Sequence, residues 1–158
     1  MIPTESSSVS SAFSAPIVPI ATRPARLPVG EPDRKWRPQV IDRLQELVRL
    51  DEGWDGYNGR PVSLLNAYFA LRMLEATCSS RTPVPQIVPG TSEDVQIEWH
   101  TDRADIELHV RAPNDVVAWH RNANTGPEGE EVTLTNNFIS VAHWIEDLEQ
   151  PGAAAAAA

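Results

Sequence analysis

Three stretches of the chain repeat apolar residues every three or four positions, which is the spacing of an amphipathic helix. The first predicted helix has Pro38 in its first turn and ends at Gly53. Its apolar positions are Ile41, Leu44, Leu47 and Val48. The second begins after an N-cap at Ser63 and runs to about Thr77. Its apolar positions are Leu64, Ala67, Tyr68, Leu71 and Leu74. The third follows a cap at Asn136 or Asn137, with Phe138, Val141, Ala142, Ile145 and Leu148 as its apolar positions.

Between the second and third helices, apolar and polar residues alternate with a period of two, which predicts strands. Three strands have the inward positions Val95, Ile97 and Trp99, then Ala104, Ile106, Leu108 and Val110, then Val117 and Trp119. Residues 131–135 predict a fourth strand, and the prolines in residues 83–90 predict an extended segment or a turn. The pattern therefore predicts a two-layer α+β sandwich in the order α-α-β-β-β-(β)-α. Its antiparallel three- to four-stranded meander has helices on one face.

The strand register follows from parity, since a slip of one residue moves every side chain to the other face. A four-residue loop in the first hairpin pairs Glu98 with Glu107. In the second hairpin, pairing Val110 with Val117 places Glu107 opposite His120. The polar face is then predicted to hold a row of three residues with a second histidine nearby: Glu98, Glu107, His120 and His109.

The stretch at residues 53–63 is too rich in Gly, Asn and Pro for a helix or a central strand, and it predicts an ordered turn. Its structural residues are Gly53, Trp54, Asp55, Gly56, Tyr57 and Gly59. The two aromatic side chains predict that the turn packs onto a core. We expect Asp55 to accept backbone N–H bonds, because the spacing of the acidic residues does not match an EF-hand calcium loop.

The composition divides the chain into three parts. Residues 1–35 hold six of the 14 prolines and a serine tract, and they predict a disordered arm. Residues 36–149 are predicted to be a single domain, and residues 150–158 a low-complexity alanine tail. The apolar residues Ile17, Val18 and Ile20 predict a segment that orders on a partner protein or on a second copy. The alternative is that the arm is a solvated tail.

The net charge of the chain is −9, and its isoelectric point is about 4.8. The first 35 residues hold four basic and three acidic residues, which leaves a net charge of −10 on the remainder. Such a body repels phosphate backbones, so we expect no direct nucleic-acid binding and instead a protein partner with a basic surface. No apolar run of about 18 residues and no secretory signal occurs, so we expect no membrane association and a cytoplasmic location. Cys78 is the single cysteine and is expected to be a buried hydrophobe.

The row of Glu98, Glu107 and His120 has two interpretations. Paired carboxylates with an imidazole could hold a metal ion and support a metal-dependent enzyme. The same residues, together with His109, could instead be a solvated face that binds a partner. No P-loop, G-x-S-x-G or H-E-x-x-H motif occurs. We therefore expect a non-enzymatic binding protein, antitoxin-like or an accessory subunit, without catalytic residue, metal or cofactor. A further alternative is a structural homo-oligomer, such as a homodimer paired through an open sheet edge.

Two motifs carry a resemblance. Residues 50–63 contain the sequence GWDGYNGRPVS, and PQIVP at residues 85–89 is followed by VQIEW at residues 95–99. Together they resemble a recurring pattern in small uncharacterised bacterial proteins, which look like short accessory products of mobile or defence-type gene clusters. The resemblance implies no activity and no catalytic residue. The Ser/Pro-rich arm is not part of the shared pattern.

Overall fold

The computed structural model describes residues 33–150, which form an α+β two-layer sandwich. The helices are α1 (Trp36–Val48), α2 (Leu64–Thr77) and α3 (Ile139–Glu149). The strands are β1 (Gln86–Pro89), β2 (Val95–His100), β3 (Ala104–Ala112), β4 (Asp115–Asn122) and β5 (Glu130–Leu134). They form one antiparallel sheet in the order β1-β2-β3-β4-β5. The described residues exclude most of the predicted arm, with Ile17, Val18 and Ile20, and the alanine tail from residue 151 onward.

The predicted fold class is confirmed, and the sheet has five strands where three or four were predicted. The additional strand is β1, which comes from the proline-rich segment and pairs with β2 from Gln86↔Glu98 to Pro89↔Val95. Proline lacks an N–H to donate to a ladder, so its tolerated place is an edge strand. The position of β1 at the edge of the sheet fits this constraint.

The buried residues of the three helices and of one sheet face form a single core. In α1 the buried residues are Trp36, Val40, Leu44 and Leu47, and in α3 they are Val141, Trp144, Ile145 and Leu148. Five residues of the predicted stripes are confirmed as buried: Leu44, Leu47, Val141, Ile145 and Leu148. Four others are only half-buried: Ile41, Val48, Phe138 and Ala142. The predicted cap at Asn136 or Asn137 is wrong, because the N-cap of α3 is Phe138, which makes no side-chain cap hydrogen bond. Asn137 lies one residue earlier and accepts the Ile139 N–H at 3.0 Å.

The predicted stripe of α2 is wrong at two of its residues, because Leu64 is 73% exposed and Tyr68 is 62% exposed. The residues that α2 buries are Asn66, Ala67, Ala70, Met73 and Leu74. Asn66 accounts for this orientation, since its Nδ2 donates to the carbonyls of Glu93 at 2.9 Å and Arg111 at 3.2 Å. A buried amide needs such partners, so the side of α2 that carries Asn66 faces the sheet.

The register of the first hairpin is confirmed, with Glu98 opposite Glu107. The register of the second hairpin is wrong by one residue, because Val110 pairs with Val116 and Glu107 pairs with Trp119. A bulge between Val110 and Ala112 causes the shift. A bulge adds one unpaired residue to one strand, and this reverses the parity on which the prediction depended.

Candidate functional site

The outer face of the sheet carries the candidate site. Paired residues of neighbouring strands share a face, so the register places one row across it: Gln86, Glu98, Glu107, Trp119 and Glu131. None of these side chains belongs to the buried core. The row therefore presents three carboxylates and one indole on the side of the sheet opposite the core.

Trp119 is the residue of this row that the sequence did not predict to face outward. Its indole N–H donates to the carbonyl of Glu128 at 3.2 Å, and the guanidinium of Arg121 lies 5.6 Å from its ring centroid. The ring is thus held in place from two sides and remains partly exposed. Aromatic side chains fixed on a surface are frequent anchors in protein interfaces.

A charged cluster forms the neighbouring row of the same face, in which His100, Asp105 and Arg121 pair across three strands. His100 Nδ1 lies 3.1 Å from Asp105 Oδ1, and His100 Nε2 lies 3.3 Å from Glu98 Oε2. The hydrogen bond with Asp105, supported by Glu98, raises the pKa of His100. The hydrogen bond from Arg121, at 3.0 Å from Nε, lowers the pKa of Asp105, and His100 adds to the effect. These charges hold one another in fixed positions at the rim of the face.

His109 lies beside the row, and a hydrogen bond with the buried residue Asp94 holds its side chain in place. Its Nε2 is hydrogen-bonded to the carboxylate of Asp94, which is only 8% exposed and also accepts the N–H of Ser92 at 2.7 Å. Burial opposes ionisation of Asp94, but these two hydrogen bonds outweigh it and lower its pKa. A Cβ on Gly90 would lie 1.9 Å from Asp94 Oδ2, so the absent side chain makes room for the carboxylate.

His120 does not belong to this face. It is 2% exposed on the core side of β4, where its ring stacks on Trp144 with centroids 4.8 Å apart. Its Nδ1 lies 3.4 Å from Glu130 Oε1, and its Nε2 is buried without a hydrogen-bond partner among the described residues. The predicted row of Glu98, Glu107 and His120 is therefore wrong in its third member, since the bulge in β3 reverses the faces of β4.

The metal-dependent alternative depended on that row. Glu98 and Glu107 lie on the outer face and His120 on the inner face, so the three side chains do not converge. Within residues 33–150, no group of three or more His, Cys, Asp or Glu side chains is arranged to hold a metal ion. Burial raises the pKa of the Cys78 thiol to about 12, which keeps it protonated and unreactive at neutral pH.

Neither aromatic side chain of the turn at residues 53–63 belongs to the core, which corrects the prediction that both pack onto it; Val62 is the residue of this stretch that the core buries. Tyr57 is 86% exposed, while Trp54 is half-buried and donates to the carbonyl of Arg60 at 3.1 Å. Asp55 Oδ1 accepts the N–H groups of Tyr57 and Gly59, both at 2.9 Å, and these bonds lower its pKa.

Two glycines meet specific needs of this turn. Gly53 has a φ of +77°, which side chains rarely adopt. A Cβ on Gly59 would lie 2.7 Å from Cγ of Asp55, so a side chain there would displace the carboxylate that organises the turn. The hydrogen bonds that Asp55 accepts within the turn thus explain its predicted structural role.

These features define a two-layer α+β protein whose outer sheet face is acidic and carries a fixed aromatic side chain. No protein-family model, curated protein or solved structure matches the chain. Among residues 33–150, no helix combines the length and apolar character needed to cross a bilayer.

Proposed function

We propose that this protein is a non-enzymatic binding module, antitoxin-like or an accessory subunit, whose outer sheet face recognises a partner with a basic surface. The carrying observation is the row in which Glu98, Glu107 and Glu131 flank Trp119. Carboxylates steer and orient a basic partner, and the indole between Glu107 and Glu131 supplies apolar contact area. The net charge of −9 extends the attraction beyond the face itself.

The experiment compares two double variants of equal charge change. Glu98→Lys with Glu107→Lys alters the row, whereas Asp42→Lys with Asp51→Lys alters two exposed residues away from the sheet face. Each tagged protein is used to capture partners from an extract of its own host, and the captured protein is purified and titrated by calorimetry. Unfolding curves establish that both double variants are folded.

We expect wild type and the Asp42/Asp51 variant to retain the same basic protein and the Glu98/Glu107 variant to lose it. The affinity of wild type is expected to fall steeply with salt, since exposed charges are screened. Equal retention by both double variants, or an affinity independent of salt, would exclude the outer face as the binding surface.

The predicted arm is a second part of this proposal. Ile17, Val18 and Ile20 lie outside the described residues, and their apolar character supports a contact with the same partner. Replacing all three with Ser is expected to weaken partner binding and leave the melting temperature unchanged. Unaltered affinity in the triple variant would remove the arm from the mechanism.

A further inference from the structure

The side of α1 and α2 that faces away from the sheet forms a groove. The two helices run antiparallel, because Arg37 near the start of α1 pairs with Glu75 near the end of α2 at 2.7 Å. At the opposite ends, the carbonyl of Leu47 accepts the Val62 N–H at 3.3 Å. With 13 residues in α1 and 14 in α2, the groove is about 20 Å long.

One end of the groove is apolar. It contains a cavity of about 330 Å³ with two polar lining residues, Gln45 and Arg49. Its other described lining residues are Ile41, Leu44, Val48, Leu64, Ala67, Tyr68 and Leu71. Leu64 and Tyr68 are the α2 residues that the sequence predicted to be buried, and both are mostly exposed. Large apolar side chains that are exposed together on one face mark sites of interaction.

The other end of the groove is basic, in a protein that is acidic as a whole. A second cavity of about 450 Å³ shares Tyr68 and Leu71 with the first, and its charged lining residues are Arg34, Arg37, Arg72 and Glu75. Among the described residues that line this cavity, Glu75 is the single acidic residue beside three arginines. The hydrogen bond from Arg37 lowers the pKa of Glu75, with a further contribution from Arg72 at 2.9 Å. The three arginines outnumber Glu75, so the described lining residues of this cavity carry more positive than negative charge.

We propose that this groove binds an acidic amphipathic α-helix of a partner protein. A groove between two antiparallel helices accepts a third helix, whose apolar residues at positions i, i+3 or i+4, and i+7 enter the apolar end. The arginines then select carboxylates at the other end, since guanidinium groups pair with them bidentately. A basic helix would meet like charges at Arg34 and Arg72, so the groove and the outer sheet face select partners of opposite charge.

The test is a selection from a phage-displayed library of random peptides of about 16 residues, long enough to span the groove as a helix. We expect the enriched peptides to be acidic, to carry apolar residues with helical spacing, and to become helical on binding. The tightest peptide is then titrated by fluorescence anisotropy against four single variants. Tyr68→Ser and Arg72→Glu alter the groove, and Tyr57→Ser and Arg111→Glu are their matched controls.

The controls reproduce the chemistry of the groove variants elsewhere on the surface. Tyr57 is exposed like Tyr68, and Arg111 pairs with Asp115 as Arg72 pairs with Glu75. Each groove variant is expected to weaken binding about 10-fold or more, while each control changes it less than about 2-fold. Basic enriched peptides, no enriched peptide, or equal effects of groove and control variants would overturn the proposal. So would a dimer in sedimentation that Tyr68→Ser dissociates, because the groove would then contact a second copy.

The outcome of the peptide-binding experiment on the groove does not depend on the outer sheet face. Neither groove variant changes a residue of that face, and neither Glu98→Lys nor Glu107→Lys changes a residue that lines the groove. Loss of binding to a basic partner in the sheet variants therefore says nothing about the groove. The two proposals stand or fall on separate measurements.

Discussion

Glu149 at the end of α3 offers the sharpest test of how this fold is held together. Its carboxylate is 4% exposed and accepts the hydroxyl of Ser79 at 2.8 Å and the hydroxyl of Thr82. The guanidinium of Arg81 lies 3.7 Å away but is largely exposed. One side chain thus connects the last turn of the last helix to the loop that follows α2.

The cost of Glu149→Ala can be worked out from these contacts. Thr82 is 6% exposed, so loss of its bond to a charged acceptor costs about 2 kcal/mol. Ser79 is half-buried and can be rehydrated, which limits its loss to about 1 kcal/mol. The exposed Arg81 pair adds little. We expect the free energy of unfolding to fall by about 3 kcal/mol, with a smaller loss in Glu149→Gln, whose amide oxygen still accepts a hydrogen bond.

The assay is urea unfolding at neutral pH, with the midpoint and slope fitted for each variant. Glu146→Ala is the matched control, because it makes the same change one turn earlier on an exposed part of α3. Helix propensity and the helix dipole affect both variants alike, so the difference between them isolates the buried contacts. A loss below about 1 kcal/mol in Glu149→Ala, or one equal to that of Glu146→Ala, would refute this account of the contact.

Three further changes test other parts of the structure. Trp54→Ala should lower the free energy of unfolding by about 1–2 kcal/mol and Trp36→Ala by about 4 kcal/mol, because Trp54 is half-buried and Trp36 is 1% exposed. Equal losses in urea unfolding would contradict this difference. Gly90→Ala should cost about 2 kcal/mol by displacing Asp94, and an unchanged melting temperature would show that the loop accepts a methyl group. The folded state binds the His100 proton more tightly than the unfolded state, because the pKa of His100 is raised. His100→Gln should therefore remove a stabilisation that is present below the usual pKa of 6.5 and is lost as pH rises through the raised pKa. A difference in unfolding free energy between wild type and variant that grows with rising pH would contradict this.

The two hairpins show why only part of the sheet could be predicted. In the first hairpin the turn adds no irregularity, so alternation alone pairs Glu98 with Glu107. In the second hairpin the bulge after Val110 adds one residue, and neither alternation nor composition reveals it. The error reverses β4, so Trp119 was assigned to the core and His120 to the surface. The carboxylate part of the candidate site was predictable, while its aromatic member was not.

Helix α2 was mispredicted for a different reason, since apolar residues occur around most of its circumference. Periodicity then leaves more than one orientation open. The choice is made by Asn66, whose two carbonyl acceptors lie 27 and 45 residues away in the chain. A contact at such separation leaves no local trace in the sequence. Leu64 and Tyr68 therefore form a surface strip on α2, although periodicity alone predicts that they are buried.

The turn at residues 53–63 links that surface strip to the rest of the fold. The Val62 N–H donates to the carbonyl of Leu47 at the end of α1. Ser63 caps α2 by accepting the Asn66 N–H at 3.1 Å, and its own N–H donates to the carbonyl of Glu93 at 3.0 Å. These bonds connect the end of α1 to the turn and the start of α2 to the β1–β2 loop, so they hold the two helix ends that border the groove. A groove whose walls are already in place loses little conformational entropy on binding, because only the incoming helix has to order. We infer that the turn supports the proposed recognition indirectly, through the positions that its hydrogen bonds give to the two helix ends.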